Sequence, residues 1–414
     1  MTAQGLNRGD QLLSGGERFA SSPGLLARMV APGFQKVLDL VDKGLERGAI
    51  LGHLPDGTTR LLGGRAPGFE AEVHLKDWRG LLRLASNGSI GWYQAWEAGE
   101  WTSPDLVPVF AIFADNARTL GQTGRAKGPF RWAAHFAHRF NRNSKAGSQR
   151  NIEAHYDLGN DFYAEWLDPT MTYSSALFEG TDDLEEAQHA KWQSLSDRIG
   201  NAATVLEIGC GWGSLANHLS EEGGAQVTAI SLSDEQLAWA RAQHDPQITF
   251  LKQDYRDTSG QFDAIVSVEM VEALGREYWP TFMDCVARNL KSGGRAAIQY
   301  ISMADDLFDA YAESADFIQA YIFPGGLLIR TSEFRKLAED RGLEWHDQHD
   351  FGRDYARTLN QWRANFDRTV ENGELPEGFD QRFVRLWRYY LDYCEGGFRA
   401  GTIDVHQVTL VKKV

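Results

Sequence analysis

The strongest constraint on the fold is a regular alternation of strand-like and helix-like segments that begins near residue 203. Five short apolar segments are each followed by a stretch with helical spacing: ATVLEIG, QVTAIS, ITFLKQD, DAIVSVE and RAAIQYI. This alternation predicts a parallel sheet with helices on both faces. Two later segments, LEWHDQHDF and TIDVHQVTLVKK, predict an antiparallel pair at one edge. We therefore predict an α/β fold whose Rossmann-like sheet is mostly parallel and carries an antiparallel edge strand.

The chain before this sheet has a different pattern, and its 414 residues suffice for two domains. Apolar residues at three- and four-residue steps up to Val41 predict an amphipathic helix. The turn sequence Pro55-Asp56-Gly57 between apolar runs predicts a hairpin. We predict a small α+β, lipid-associated module over 1–120, a linker over 121–150 and a catalytic domain over 151–414.

The linker differs in charge from the rest of the protein. The chain carries a net charge of −15, which argues against nucleic acid as a partner, yet residues 121–150 hold seven Arg and Lys and no Asp or Glu. Phe130, Trp132, Phe136 and Phe140 lie between these cations. Two interpretations stay open: a helix that packs its aromatic residues on the core, or a surface that binds the anionic headgroups of a phospholipid bilayer.

The cysteines and the apolar runs bear on location. Cys210, Cys285 and Cys394 are too scattered for metal-ligand spacing, so we predict no metal site and a reducing compartment. The first residues show no signal-peptide pattern, and no run of about 18 apolar residues is present. We expect a cytoplasmic protein.

A glycine-rich turn follows the first strand of the predicted sheet. Its three glycines are spaced Gly209-x-Gly211-x-Gly213, Cys210 lies between the first two, and Glu207 precedes them. Glycines let a ligand approach the backbone, and the next helix offers free N–H groups. A carboxylate there repels a pyrophosphate but suits the ammonium of a methionine. The pattern resembles motif I of class I S-adenosylmethionine-dependent methyltransferases; nicotinamide binding and a purely structural turn are the alternatives.

The next two strand ends supply candidates for the rest of the nucleoside. The second strand ends without the usual acidic residue, so we expect Ser231, Leu232 and Gln236 to meet the ribose. Asp254 and Tyr255, after the third strand, are candidates for the edge and face of the adenine.

Several longer segments occur in a recognisable order from about residue 150 to 414: HYDLGNDFYAEWLDPTMTYSSALF, VLEIGCGWGSLA, QDYRD, QYIFPGG, DFGRDYARTLNQWRANF and FVRLWRYYLDYCEGGFRAG. Together they resemble the cyclopropane-fatty-acyl-phospholipid synthase family, and the catalytic part is similar to mycolic acid cyclopropane synthases. The N-terminal module resembles the one in full-length bacterial members.

The resemblance implies transfer of a methyl group from S-adenosylmethionine to the cis double bond of a phospholipid acyl chain, at the inner face of the membrane. A carbocation results, and bound bicarbonate removes the proton whose loss closes a cyclopropane ring. By this resemblance the bicarbonate site maps onto Glu272, Gln299, Tyr355, Ser175 and Ile301, the last two acting through their backbone. Cofactor contacts map onto Tyr156, Tyr173 and Ser174.

Two positions depart from the family pattern. Gln299 stands where most bacterial members have His, and Ser175 stands where the family has Cys. An amide N–H can still donate to an anion. These departures leave open a methylated product that keeps its double bond. An inactive lipid-binding protein and a small-molecule methyltransferase are further alternatives, and a homodimer is an open option.

Overall fold

The computed structural model describes residues 8–17, 31–120, 158–313 and 315–414. The chain divides into two compact units. The first comprises Met1–Asn141, Asp306–Pro324 and Glu377–Ile403, and the second comprises Arg142–Asp305, Gly325–Pro376 and Asp404–Val414. Two segments of the range 151–414 therefore group with the N-terminal part of the chain. The linker 121–150 and Tyr156 lie outside the described residues.

The first unit contains a four-stranded sheet in the order β2-β1-β3-β4, formed by β1 (Ala49–His53), β2 (Thr59–Gly63), β3 (Glu70–Leu75) and β4 (Trp101–Thr102). β1 and β2 are antiparallel, which confirms the predicted hairpin. The Asp56 carboxylate closes its turn by accepting the Thr58 N–H at 3.0 Å. The helices of this unit are Asp10–Glu17, Ala31–Gly44, Arg79–Glu97, Val107–Asp115, Ala117–Leu120, Asp305–Ala312, Phe317–Tyr321 and Gln381–Ala400.

Aromatic packing explains why distant segments join the first unit. The ring of Tyr93 lies 4.9 Å from the rings of both Phe317 and Tyr389, centroid to centroid. Phe317 and Tyr389 are themselves 4.7 Å apart, and all three side chains are fully buried. Burying such large rings removes much apolar surface from water, so the helices carrying residues 317 and 389 are held to the helix carrying residue 93.

The second unit contains a seven-stranded sheet in the order β10-β11-β9-β8-β5-β6-β7. Its strands are β5 (Thr204–Ile208), β6 (Gln226–Ser231), β7 (Thr249–Lys252), β8 (Phe262–Val268), β9 (Leu290–Met303), β10 (Leu343–Asp350) and β11 (Ile403–Lys412). β5 to β9 pair in parallel and β10 pairs antiparallel with β11, which confirms the predicted sheet and its edge. The helices are Asn160–Ala164, Leu184–Ile199, Ser214–Glu221, Asp234–Gln243, Trp279–Asn289, Thr331–Glu339 and Gly352–Asn372.

Parallel pairing brings several chemically active residues to one edge of this sheet. Glu207 is the next-to-last residue of β5, Glu269 directly follows β8, and Gln299 in β9 is paired with Val268. The carboxyl ends of parallel strands are where ligands bind in α/β proteins. The fold therefore concentrates these side chains at a single edge.

Among the residues that the structure describes, no helix has the length and apolar character needed to cross a bilayer.

Candidate functional site

The glycine-rich turn after β5 requires its glycines. Gly209, Gly211 and Gly213 have φ values of 83°, 53° and 89°, in the left-handed region where a side chain is strained. A Cβ at Gly213 would also lie 2.9 Å from the Phe250 ring, whereas one at Gly211 would meet nothing within 4 Å. Open space at Gly211 leaves the backbone accessible to a ligand, and Gly213 begins the helix Ser214–Glu221.

Glu207 lies beside this turn and is buried, with 3% of its surface exposed. The backbone N–H of Ala216 donates a hydrogen bond to its carboxylate, but Oε2 has no hydrogen-bond partner among the described residues. Burial raises the pKa of Glu207 to about 8. A buried carboxylate oxygen without a donor is costly, so this site is built to receive a cationic or hydrogen-bonding group from a ligand.

Gln236 presents a second unused group near the end of β6. Its Oε1 accepts the Ser231 hydroxyl at 3.2 Å, while its buried Nε2 has no partner among the described residues. A hydroxyl of a ribose would satisfy that N–H. The arrangement fits the prediction that an amide replaces the usual acidic residue here, and the neighbouring Leu232 is half-buried.

The two adenine candidates are engaged within the protein. Arg256 donates to the Asp254 carboxylate from Nε at 2.8 Å, and the two side chains form an ion pair. The Tyr255 ring is buried and packs edge-on against Phe282, with centroids 6.0 Å apart. Their roles toward the adenine therefore remain predictions. Cys210 is also buried, and its backbone N–H donates to the Ile230 carbonyl.

Lys191, in the helix Leu184–Ile199, lies beneath the site. Its Nζ donates to the Ser174 hydroxyl at 2.7 Å, and Gln188 donates to the Ser174 carbonyl at 3.1 Å. Burial lowers the pKa of Lys191 to about 8, and the carboxylates of Glu269, Asp168 and Glu207 oppose that shift. Lys191 thus interacts electrostatically with both Glu207 and Glu269, which places the two carboxylates in one site.

Aromatic rings line the same region. The Trp362 ring lies 5.4 Å from the ring of Tyr173 and 6.2 Å from the ring of Tyr355. Trp166 packs edge-on against Trp362, at 5.6 Å. The faces of such rings stabilise cations, with Trp the most effective. This aromatic cluster suits a reaction in which positive charge appears on a carbon.

The Glu269 carboxylate collects three of the groups that the sequence assigned to an anion site. Its Oε1 accepts the Ser175 backbone N–H at 2.9 Å and the Gln299 amide at 2.8 Å. Its Oε2 accepts the Tyr355 hydroxyl at 2.7 Å. Burial raises the pKa of Glu269, and these three donors oppose the shift. Ser175, Gln299 and Tyr355 therefore converge, as predicted, but on a carboxylate belonging to the protein.

The backbone at Glu269 explains how its side chain reaches this position. Its φ is 48°, in the left-handed region that non-glycine residues seldom adopt. The Glu269 N–H donates to the Gln299 carbonyl at 2.8 Å, which holds this conformation at the end of β8. Strained backbone of this kind persists where the surroundings enforce it and is concentrated at functional sites.

The orientation of the Gln299 amide follows from a chain of hydrogen bonds. Arg198, which can only donate, and the Ser194 hydroxyl both bond to Gln407 Oε1, at 3.2 and 2.7 Å. Gln407 Nε2 must then donate to Gln299 Oε1, at 3.0 Å. This leaves Gln299 Nε2 to face Glu269. Gln407 is therefore a positioning residue for the site.

Glu272, which the sequence assigned to hold the anion, has other contacts. Its Oε1 accepts the backbone N–H of Ile301, and its Oε2 has no partner among the described residues. Burial raises the pKa of Glu272 to about 8, and the nearby negative charge of Glu269 adds to this. Glu272 and Ile301 are thus paired with each other, next to the Glu269 cluster.

The described contacts do not fit a bicarbonate bound by this set of residues. The Ser175 N–H, the Gln299 amide and the Tyr355 hydroxyl point to Glu269, and the Ile301 N–H points to Glu272. A second anion would lack these donors and would face two half-buried carboxyl groups.

Sequence reasoning missed three residues: Glu269, Lys191 and Gln407. Glu269 had a usable signal, because it directly follows a strand of a parallel sheet, where catalytic residues gather. Gln407 had none, because its partners Gln299 and Ser194 lie 108 and 213 positions away in the chain. Lys191 had none, because the sequence of its helix does not show that this lysine is buried.

Comparison with known proteins agrees with this geometry. A family model described as mycolic acid cyclopropane synthetase matches residues 143–408. The chain belongs to the mycolic acid cyclopropane synthetase family. The tuberculostearic acid methyltransferase UfaA1 of Mycobacterium tuberculosis is 37% identical over 80% of this chain and 81% of its own length. The cyclopropane-fatty-acyl-phospholipid synthase of Escherichia coli K12 is 33% identical over 85% of this chain and 90% of its own length. The predicted family is confirmed.

Solved structures give the same result. The mycolic acid cyclopropane synthase CmaA1, complexed with SAH and CTAB, has a TM-score of 0.59 and is 28% identical. The similar region comprises 64% of this chain and 98% of the CmaA1 chain. Together with the glycine turn, and with the Glu207 oxygen and Gln236 amide that find no partner in the described part of the chain, these findings show an S-adenosylmethionine-dependent methyltransferase. The residues present fit that cofactor.

Proposed function

We propose that the enzyme methylates the cis double bond of unsaturated acyl chains in phospholipids and that the product carries a cyclopropane ring. S-adenosylmethionine supplies an electrophilic methyl group. The observation that carries the proposal is the cluster around the half-buried Glu269, beside the aromatic rings of Tyr355 and Trp362. An alkene is a weak nucleophile, and the cation formed from it needs stabilisation by rings and a base near the new methyl group.

Each part of the site has a distinct task. Glu207 would hold the ammonium of the cofactor, and Gln236 would meet a ribose hydroxyl. The rings of Tyr173, Tyr355 and Trp362 would exclude water and lie against the substrate cation. Burial strengthens every electrostatic interaction in such a site. Membership of the family, and the names of the two relatives, support an acyl chain as the substrate.

A second product is favoured by one comparison. The relative with 37% identity is named a tuberculostearic acid methyltransferase, and this name does not describe a cyclopropane. Loss of a proton from a chain carbon, instead of from the new methyl group, would give a methylated chain that keeps a double bond.

Action on phospholipids implies work at a bilayer surface on the cytoplasmic side. The basic and aromatic stretch 121–150, which lies outside the described residues, is our candidate for the surface contact.

The test is mass spectrometry of lipids from a host that lacks its own enzyme of this kind, with and without expression of this chain. A mass gain of one methylene without a double bond supports the cyclopropane, and the same gain with a double bond supports the methylated product. Unchanged lipids would contradict both, and would favour an inactive lipid-binding protein or a small-molecule methyltransferase.

A further inference from the structure

We propose that the carboxylate of Glu269 is the general base of this reaction, so that the enzyme needs no bicarbonate. This inference rests on the proposed function and names the group that receives the proton. The sequence had placed a bound anion among Ser175, Gln299 and Tyr355. The structure puts a carboxylate of the chain itself at the point where those three donors converge.

A carboxylate and a bicarbonate present the same group to their surroundings, two oxygens on one carbon with a shared negative charge. Donors arranged for one suit the other. The three donors to Glu269 lie at 2.9, 2.8 and 2.7 Å, which are normal lengths for bonds to a charged acceptor. The three described donors that would define a small-anion site at this point are therefore already used by Glu269.

The pattern of bonds also identifies the reactive oxygen. A carboxylate oxygen has two lone pairs in its plane, and Oε1 uses both, for Ser175 and Gln299. Oε2 accepts one bond, from Tyr355, and keeps one lone pair for a proton. Tyr355 brings the same oxygen next to the aromatic cluster, because its ring lies 6.2 Å from that of Trp362.

The step balances without a further reactant. The π electron pair of the alkene forms a bond to the incoming methyl carbon, the sulfur–methyl bond breaks, and the neighbouring chain carbon becomes cationic. A C–H bond of the new methyl group then breaks, its electron pair closes the ring, and the proton moves to Oε2 of Glu269. The carboxyl group returns this proton to water after the product leaves.

The surroundings suit a base at this position. Burial raises the pKa of Glu269 above that of an ordinary glutamate, which strengthens it as a proton acceptor. The three hydrogen-bond donors and the neighbouring Lys191 ammonium oppose this shift by favouring the charged form. The Glu272 carboxyl group, with its pKa raised to about 8, would stay protonated at neutral pH and add no second negative charge.

The test measures transfer of a labelled methyl group from S-adenosylmethionine to vesicles of dioleoyl phosphatidylcholine and phosphatidylglycerol. The buffer is purged of carbon dioxide or supplied with bicarbonate. We expect the wild-type rate to be the same in both buffers. We expect Glu269→Gln, which keeps the size of the side chain, to lower turnover roughly 10²- to 10⁴-fold while S-adenosylhomocysteine binding stays unchanged. The control is Glu185→Gln, which makes the same substitution at an exposed position of the same unit and should keep the wild-type rate.

A glycine variant adds a positive test. Glu269→Gly suits the backbone, because φ at this position is 48°, and it exposes the three donors around an empty space. We expect its rate to be low in purged buffer and to rise with added bicarbonate, but not with added chloride.

A wild-type rate that collapses without bicarbonate, or full activity of Glu269→Gln, would overturn the inference and leave the proposed function intact. A wild-type enzyme that methylates no unsaturated lipid in either buffer would overturn the proposed function and this inference with it. If the glycine variant does not fold, the rates of the wild type and of Glu269→Gln are sufficient to test whether Glu269 is the general base.

Discussion

Two carboxylates on strands that pair directly, the buried Glu207 in β5 and the half-buried Glu269 after β8, have opposite surroundings. Glu207 has an oxygen without a donor among the described residues, whereas both oxygens of Glu269 are occupied by donors of the protein. An unsatisfied carboxylate identifies a place for a ligand. A carboxylate whose two oxygens already accept hydrogen bonds from the protein is held in position by the protein itself. The same residue type therefore serves binding at one strand end and chemistry at the next.

The largest expected effect is on cofactor affinity, and it should distinguish the binding role of Glu207 from the catalytic role of Glu269. Glu207→Gln should weaken S-adenosylhomocysteine binding roughly 10- to 100-fold, because glutamine cannot lose a proton to become the anionic partner of the ligand ammonium. Glu269→Gln should leave that affinity unchanged, because its contacts are all internal. Isothermal titration calorimetry of both variants and the wild type measures the difference. Equal losses of affinity in the two variants would contradict the comparison.

Glu272 is an intermediate case, since one of its oxygens has a donor and the other has none among the described residues. Its pKa is raised to about 8 in the folded protein, against 4.5 for an ordinary glutamate. Between these values the folded protein holds a proton that the unfolded chain has released. Stability must therefore fall as the pH rises through this window, by about 1.4 kcal/mol per pH unit for one such group.

The check is urea unfolding of the wild type and of Glu272→Gln at several pH values inside that window. The variant carries no titrating group at this position, so its stability should fall less steeply with rising pH. Glu207 contributes a slope of the same sign, because its pKa is also raised to about 8, and this slope should remain in the variant. Identical slopes in the two proteins would show that Glu272 is ionised in the folded state.

A smaller effect is expected at Gln407. Gln407→Leu removes the donor that orients the Gln299 amide, and one such neutral hydrogen bond is worth about 1 kcal/mol. Turnover should fall roughly 5-fold, because Gln299 would sometimes turn its oxygen toward Glu269. Affinity for S-adenosylhomocysteine should not change. Gln407→Glu, which cannot donate from its carboxylate, should give at least as large a loss, and wild-type turnover in both variants would exclude the positioning role.

Local patterns were enough to predict most of the second sheet and the glycine turn. Alternating strands and helices, together with left-handed glycines, are short-range features, and the structure confirms them. The prediction also brought Ser175, Gln299 and Tyr355 together correctly. It assigned the carboxylate of this site to Glu272, whereas the three groups meet Glu269, which lies three positions earlier after the same strand.

The choice depends on a backbone angle that the sequence does not display. A φ of 48° turns the side chain of Glu269 toward Gln299. Glycine usually adopts this conformation, so a glutamate in the sequence does not predict it. The grouping of Asp306–Pro324 and Glu377–Ile403 with the N-terminal part was equally hidden. It depends on contacts between rings such as Tyr93 and Tyr389, which are distant in the chain.

The chain of hydrogen bonds that runs through Gln407 to Gln299 also has a consequence for folding. Gln407 follows its partner Ser194 by 213 positions, so a large loop must close before Gln299 takes its working orientation. The glycine-rich turn, by contrast, contacts elements that are close to it in the chain, namely β5, the helix after it and β6. The arrangement of the Glu269 cluster therefore depends on β11 being in place, whereas the glycine-rich turn makes no use of that strand.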